Sequence, residues 1–101
     1  MNHIEFMSKL QEFINEKGWD SYHNLKDLAV SISIESAELL EHFQWKNNDY
    51  DNLEEAEKME IEHEIADVMI YCFTMCNKLG VDPIDIMNRK LEINKKRVFK
   101  V

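Results

Sequence analysis

Gly18, Gly80 and Pro83 are the only glycines and proline in this 101-residue chain. A sequence so short of helix breakers is cut into few, long segments, and its apolar residues recur with helical spacing. Helix caps divide those segments. "NHIE" places Asn2 three residues before Glu5, and predicts a helix to about Lys17, stopped by Gly18. "NLKD" places Asn24 before Asp27 and predicts a helix to about Gln44. "NLEE" places Asn52 before Glu55 and opens the longest helix, ending at Leu79 before Gly80. "DPID" supplies Asp82 as a cap, with Pro83 at the first helical position, and the last helix runs towards Val98. The expected fold is therefore all-α, one domain over residues 1–101, with four main helices in a bundle.

The third helix contains the chain's most hydrophobic stretch, "EIADVMIYCFTMC", Glu64 to Cys76. Ile61, Ile65, Val68, Cys72, Met75 and Leu79 share one face at 100° per residue, while Ala66, Ile70 and Phe73 lie opposite. A helix apolar on all sides belongs at the centre of a bundle. Three short partners from one chain of this size cannot enclose it, so a homo-oligomer is expected to complete the bundle.

Twenty acidic against twelve basic residues give a net charge of −8, which disfavours a nucleic-acid binder. No segment reaches membrane-spanning length and the amphipathic N-terminus is unlike a signal peptide, so a cytoplasmic protein is expected. Cys72 and Cys76 lie inside the apolar run and read as small buried hydrophobes rather than a disulfide or half of a zinc site. The basic residues are concentrated: residues 88–101, "NRKLEINKKRVFKV", hold six of the twelve. That tail reads either as a solvated helix end or as a site for an anion.

One charge interrupts the apolar run, Asp67. A buried carboxylate needs a partner, a metal or a shifted pKa. Glu64 precedes it by three residues, and the second helix carries the same spacing in "ESAE", Glu35 and Glu38. Residues three apart project to one side of a helix. Each pair flanks the apolar stripe of its own helix, so packing the stripes together brings four carboxylates to one side of the seam. Solvated helix-face acids are the bland alternative. Four converging acids repel one another, and a hard divalent cation with oxygen ligands, Mg²⁺ or Mn²⁺, relieves that repulsion. Such an ion commonly binds phosphates as well. Lys90, Lys95 and Arg97 could supply further cations. Trp19 and Trp45, near helix ends, could stack on a nucleobase or serve only as packing anchors. Tyr71, four residues after Asp67, falls on the same helix face. The chain has no Gly-rich phosphate loop.

"ESAE" followed by "EIAD" resembles the E-x-x-E … E-x-x-D signature of the all-α nucleoside triphosphate pyrophosphohydrolases, the MazG-like superfamily. "GWDSYHNLKDLAVSISIESAELLEHFQW", "EIEHEIADVMIYC" and "KLEINKKR" extend the resemblance over roughly residues 5–98, towards the small single-domain branch that includes the dCTP pyrophosphatases. The resemblance implies a Mg²⁺-dependent enzyme that cleaves a nucleoside triphosphate, with a deoxyribonucleotide favoured, between the α- and β-phosphates. The products would be a monophosphate and pyrophosphate, as in house-cleaning of a nucleotide pool. It implies that Glu35, Glu38, Glu64 and Asp67 hold the metal and that Glu38 orients or deprotonates the attacking water. Trp19, His23 and Trp45 would line the base and sugar pocket, bordered by Tyr71, and Lys90, Asn94 and Arg97 would reach the phosphates. It also implies a site shared between the subunits of a dimer, often within a tetramer.

Two other readings compete. A di-iron carboxylate bundle needs Glu-x-x-His on two helices; "EIEH", Glu60 to His63, provides one, whereas Glu38 and His42 have the wrong spacing. A non-enzymatic helical oligomerisation or nucleotide-binding module would leave the acids solvated and predicts no stabilisation by Mg²⁺.

Overall fold

A computed structural model describes residues 1–45 and 53–97. Four α-helices account for most of them: α1 (His3–Glu16), α2 (Leu25–Glu41), α3 (Glu55–Leu79) and α4 (Pro83–Lys95). A single 3₁₀ turn, Asp20–Tyr22, joins α1 to α2. No strand occurs among the described residues.

The predicted caps form where side chains can satisfy the free N–H groups of a first helical turn. Asn2 Oδ1 accepts from the Glu5 amide and Asn24 Oδ1 from the Asp27 amide, each at 2.8 Å. Asp82 Oδ1 accepts from the amides of Ile84 (2.8 Å) and Asp85 (3.1 Å). Both glycines end helices with left-handed backbone, φ +69° at Gly18 and +68° at Gly80. In each case the following residue donates back across six residues, Trp19 to the Ile14 carbonyl and Val81 to that of Cys76, at 3.0 Å. This closing geometry disfavours any residue with a Cβ at the glycine.

Two boundaries differ from expectation. α2 ends at Glu41 rather than Gln44, because the chain tightens into i→i+3 bonds from His42, Phe43 and Gln44 to Leu39, Leu40 and Glu41. That tightening leads to Trp45, a non-glycine residue at φ +67°. α3 starts at Glu55 behind Glu54, which caps it without a side-chain bond. The proposed cap Asn52 and the proposed end of the last helix, Val98, lie outside the described residues.

α3 is the axis of the molecule, with α2 packed along it and α1 packed against it. Among the described residues, Leu10, Ile14, Leu28 and Cys76 form the buried apolar core. Both cysteines are free thiols, Cys72 being half-buried. α4 is tied in at its start, where His3 Nε2 donates to Asp82 Oδ2 at 2.9 Å. Beyond that point it carries Ile84, Met87 and Leu91 exposed at helical spacing. The radius of gyration is 16.2 Å, against about 13 Å for a compact domain of 100 residues. Among the described residues no helix is long and apolar enough to cross a membrane.

A candidate carboxylate centre beside an aromatic cleft

Packing α2 on α3 brings Glu35 to Glu64 and Asp67. One carboxylate oxygen from each lies within 4.8 Å of the others. Among the described residues this is the only such group of potential metal ligands, and it contains neither His42 nor His63. His42 instead faces Glu60, 3.9 Å away, across the α2–α3 junction. The paired histidines of a di-iron site are therefore not assembled.

Crowding marks the centre electrostatically. Burial pushes the Glu35 carboxyl up from its ordinary 4.5 to about 7, aided by hydrogen bonding to Glu64 and Glu38 and by the charges of Glu38 and Asp67. Glu35 Oε2 and Glu64 Oε2 are buried with no hydrogen-bond partner. Unpartnered buried carboxylate oxygens are costly. An all-oxygen donor set with free lone pairs and a raised pKa fits a hard divalent cation such as Mg²⁺ or Mn²⁺. Glu38 stands beside Glu35 but outside the three-carboxylate cluster.

A cleft of about 710 Å³ opens next to the carboxylates. α1 lines it with Leu10, Phe13 and Ile14, the 3₁₀ segment with Trp19, Tyr22 and His23, and α3 with Asp67, Ile70, Tyr71 and Thr74. Its aromatic wall is interlocked: Phe13 and Trp19 meet edge to face at 5.5 Å, and Trp19 lies 6.2 Å from His23. His23 Nδ1 is buried without a partner, which leaves a polar atom in a mostly apolar wall. The size and lining suit a planar heterocycle with one or two polar contacts.

Of the residues singled out in the sequence, Trp19, His23, Asp67 and Tyr71 line this cleft, and Asp67 belongs to both cleft and cluster. The others stand apart. Trp45 is not among the lining residues and is 93% exposed. Lys90, Asn94 and Arg97 are on or just beyond α4, which contributes no lining residue. Asn94 Oδ1 is buried and unpartnered, and Lys95 is taken up by Glu92 at 2.8 Å. The sequence reading overlooked Leu10, Phe13, Ile14, Tyr22, Ile70 and Thr74. Thr74 had a signal: it is the second interruption of the apolar run and sits seven residues after Asp67, on the same face.

The MazG-like family model matches residues 30–99, a span that contains all four carboxylates. The chain belongs to the MazG-like family. This MazG-like chain is 30% identical over 90 residues to dCTP pyrophosphatase 1 of Homo sapiens and 28% identical over 89 residues to that of Mus musculus. Each match covers 85% of the chain and 52% of the relative. The chain thus spans about half the length of the curated relatives it matches. A pyrophosphatase from Archaeoglobus fulgidus, known as a crystal structure, is 45% identical, with a TM-score of 0.86. That match covers 99% of this chain and 95% of the other. The fold is shared almost end to end with that pyrophosphatase.

Proposed function

We propose that this protein is a divalent-metal-dependent nucleoside triphosphate pyrophosphohydrolase acting on the cytoplasmic nucleotide pool. It would cleave between the α- and β-phosphates, with a deoxyribonucleotide preferred. One observation carries the reading: Asp67 belongs at once to the carboxylate cluster and to the wall of the aromatic cleft. A ligand with a planar base in the cleft places its phosphates at the acids. The names of the relatives, dCTP pyrophosphatase and pyrophosphatase, support the same reaction.

Glu35, Glu64 and Asp67 hold the cation, Mg²⁺ by preference with Mn²⁺ as an alternative, and Glu38 adjoins them. When bound, the cation neutralises phosphoryl oxygens and acidifies water. Glu38, next to the cluster, orients the attacking water and accepts its proton as the α–β anhydride bond breaks and pyrophosphate departs. Trp19 stacks on the base, with Tyr71 at the cleft edge, and His23 offers its unpartnered Nδ1 to the base or sugar.

Trp45, Lys90, Asn94 and Arg97 do not line the cleft of their own chain. A homo-oligomer in which a second copy supplies them explains this, and explains the exposed apolar faces. The test is release of monophosphate and pyrophosphate from a panel of ribo- and deoxyribonucleoside triphosphates, with Mg²⁺ or with chelator. Metal-dependent release is expected, and Asp67→Asn should lower it at least about 100-fold. Silence across the panel, together with no Mg²⁺-induced rise in thermal stability, would favour the non-enzymatic helical module.

A further inference from the structure

The wall of the cleft that carries Trp19, Tyr22 and His23 is a very short element. Tyr22 and His23 donate back to Trp19 and Asp20, and the Trp19 amide reaches Ile14 on α1, so no backbone bond joins the element to α3. A single 3₁₀ turn between two helices has little intrinsic stability, so its position relative to α3 must be fixed from outside. On the α3 side the fixing group is Lys78. Its ammonium donates to the Asp20 carbonyl at 2.9 Å and to Asp20 Oδ1 at 3.1 Å. Gln11 Nε2 on α1 donates to the same Oδ1 at 3.1 Å and to Asn15 Oδ1 at 3.0 Å. One aspartate thereby ties α1, the turn and α3 together.

The location of Lys78 gives the tie a consequence for the cleft. Glu64, Asp67, Tyr71, Thr74 and Lys78 follow one another at three- and four-residue steps along one face of α3. The carboxylates are at one end of this stripe, Tyr71 and Thr74 line the cleft, and Lys78 follows at the far end, just beyond the lining residues. The cleft is bounded by α3 on one side and by the turn on the other. The distance between them is therefore set where Lys78 grips Asp20.

We infer that Lys78, through Asp20, is a positioning residue that fixes the width of the cleft by holding the Trp19–His23 wall against α3, and so sets which base is accepted. Lys78 is not among the residues that line the cleft. The inference rests on the reading that the cleft receives the base, and it predicts selectivity where that reading predicts only reaction.

The experiment compares wild type with Lys78→Met and Lys78→Arg. Amide hydrogen exchange of residues 19–23 is followed without ligand, and KM and kcat are measured across the triphosphate panel. The affinity of an α,β-imido nucleotide is measured alongside. In Lys78→Met, exchange in the turn should accelerate and KM for the preferred base should rise about 3- to 10-fold, with kcat within about twofold. The spread of KM between bases should narrow. Lys78→Arg, which retains a cation and several donors, should restore most of the difference. Thermal unfolding checks that each variant is folded, and Asp20→Ala, which removes the carboxylate from the other side, serves should Lys78→Met fail to fold.

Unchanged exchange in the turn would overturn the inference, because Lys78 would not be holding it. Faster exchange with unchanged KM and analogue affinity would also overturn it, by showing that the wall does not contact the base. Inactivity of wild type would sink the proposed reaction separately; Lys78 would then be judged by exchange and analogue affinity, which need no turnover.

Discussion

Glu35 is the residue whose behaviour most directly reports the carboxylate centre. Its folded pKa of about 7 stands above the ordinary 4.5, so between those values the folded protein keeps a proton that the unfolded chain releases. Raising the pH through that window therefore favours unfolding. Metal-free protein should lose stability from about pH 5 to about pH 7 and level off above it. Mg²⁺ should reverse the trend, since it binds the ionised form and displaces the proton. Glu35→Gln should flatten the metal-free profile. Denaturant unfolding in chelator at a series of pH values measures this, and a profile rising across the window would refute the crowded centre. Glu35 also shows the limit of sequence reading. Its pairing with Glu38 and the matching pair on α3 were legible from spacing. Which three of the four acids meet was not, because that depends on how α2 is rotated against α3.

At the scale of elements, α4 depends on Asp82 more than its length suggests. Asp82 caps the helix with Oδ1 and receives His3 with Oδ2. The His3 hydrogen bond, with the bonds from the Asp85 and Ile84 amides, holds the Asp82 carboxyl below its usual range. This contribution is present above the ordinary aspartate pKa and is lost only as pH falls through the lowered folded value. Asp82→Ala should cost about 0.5–2 kcal/mol, the range for a lost N-cap, while Asp82→Asn should recover most of it. Urea denaturation at neutral pH decides, and equal losses in both variants would show that charge rather than capping matters. The cap itself was readable in "DPID", as were the glycine stops. The 3₁₀ turn was not: "WDSY" has no apolar period, and the Lys78 ammonium that bonds its Asp20 comes from 58 residues away. Local chemistry marked most helix ends, while a bond from a distant helix joins α3 to the element that carries the aromatic wall.

At the scale of the whole molecule, one protomer leaves much apolar surface uncovered. α2 buries Leu28 but exposes Val30 and Ile34, and α3 exposes Ile65 and Met69. A second copy placed over such faces would bury them, and would account for the separation of Trp45, Lys90 and Asn94 from the cleft. If the sites are shared in this way, two inactive proteins can repair each other. Glu35→Gln removes an acid from one side of the site and Lys90→Met a cation from the other. In a mixed dimer one site inherits both defects and the other inherits neither. Random reassociation makes half the dimers mixed, with one of two sites intact, so activity should return to about a quarter of wild type. Co-refolding the variants at equal concentration and assaying pyrophosphate release measures this, with sedimentation confirming that oligomers have formed. A mixture that associates but stays inactive would mean that each chain builds its site alone, and that α4 must move to bring Lys90 to the phosphates.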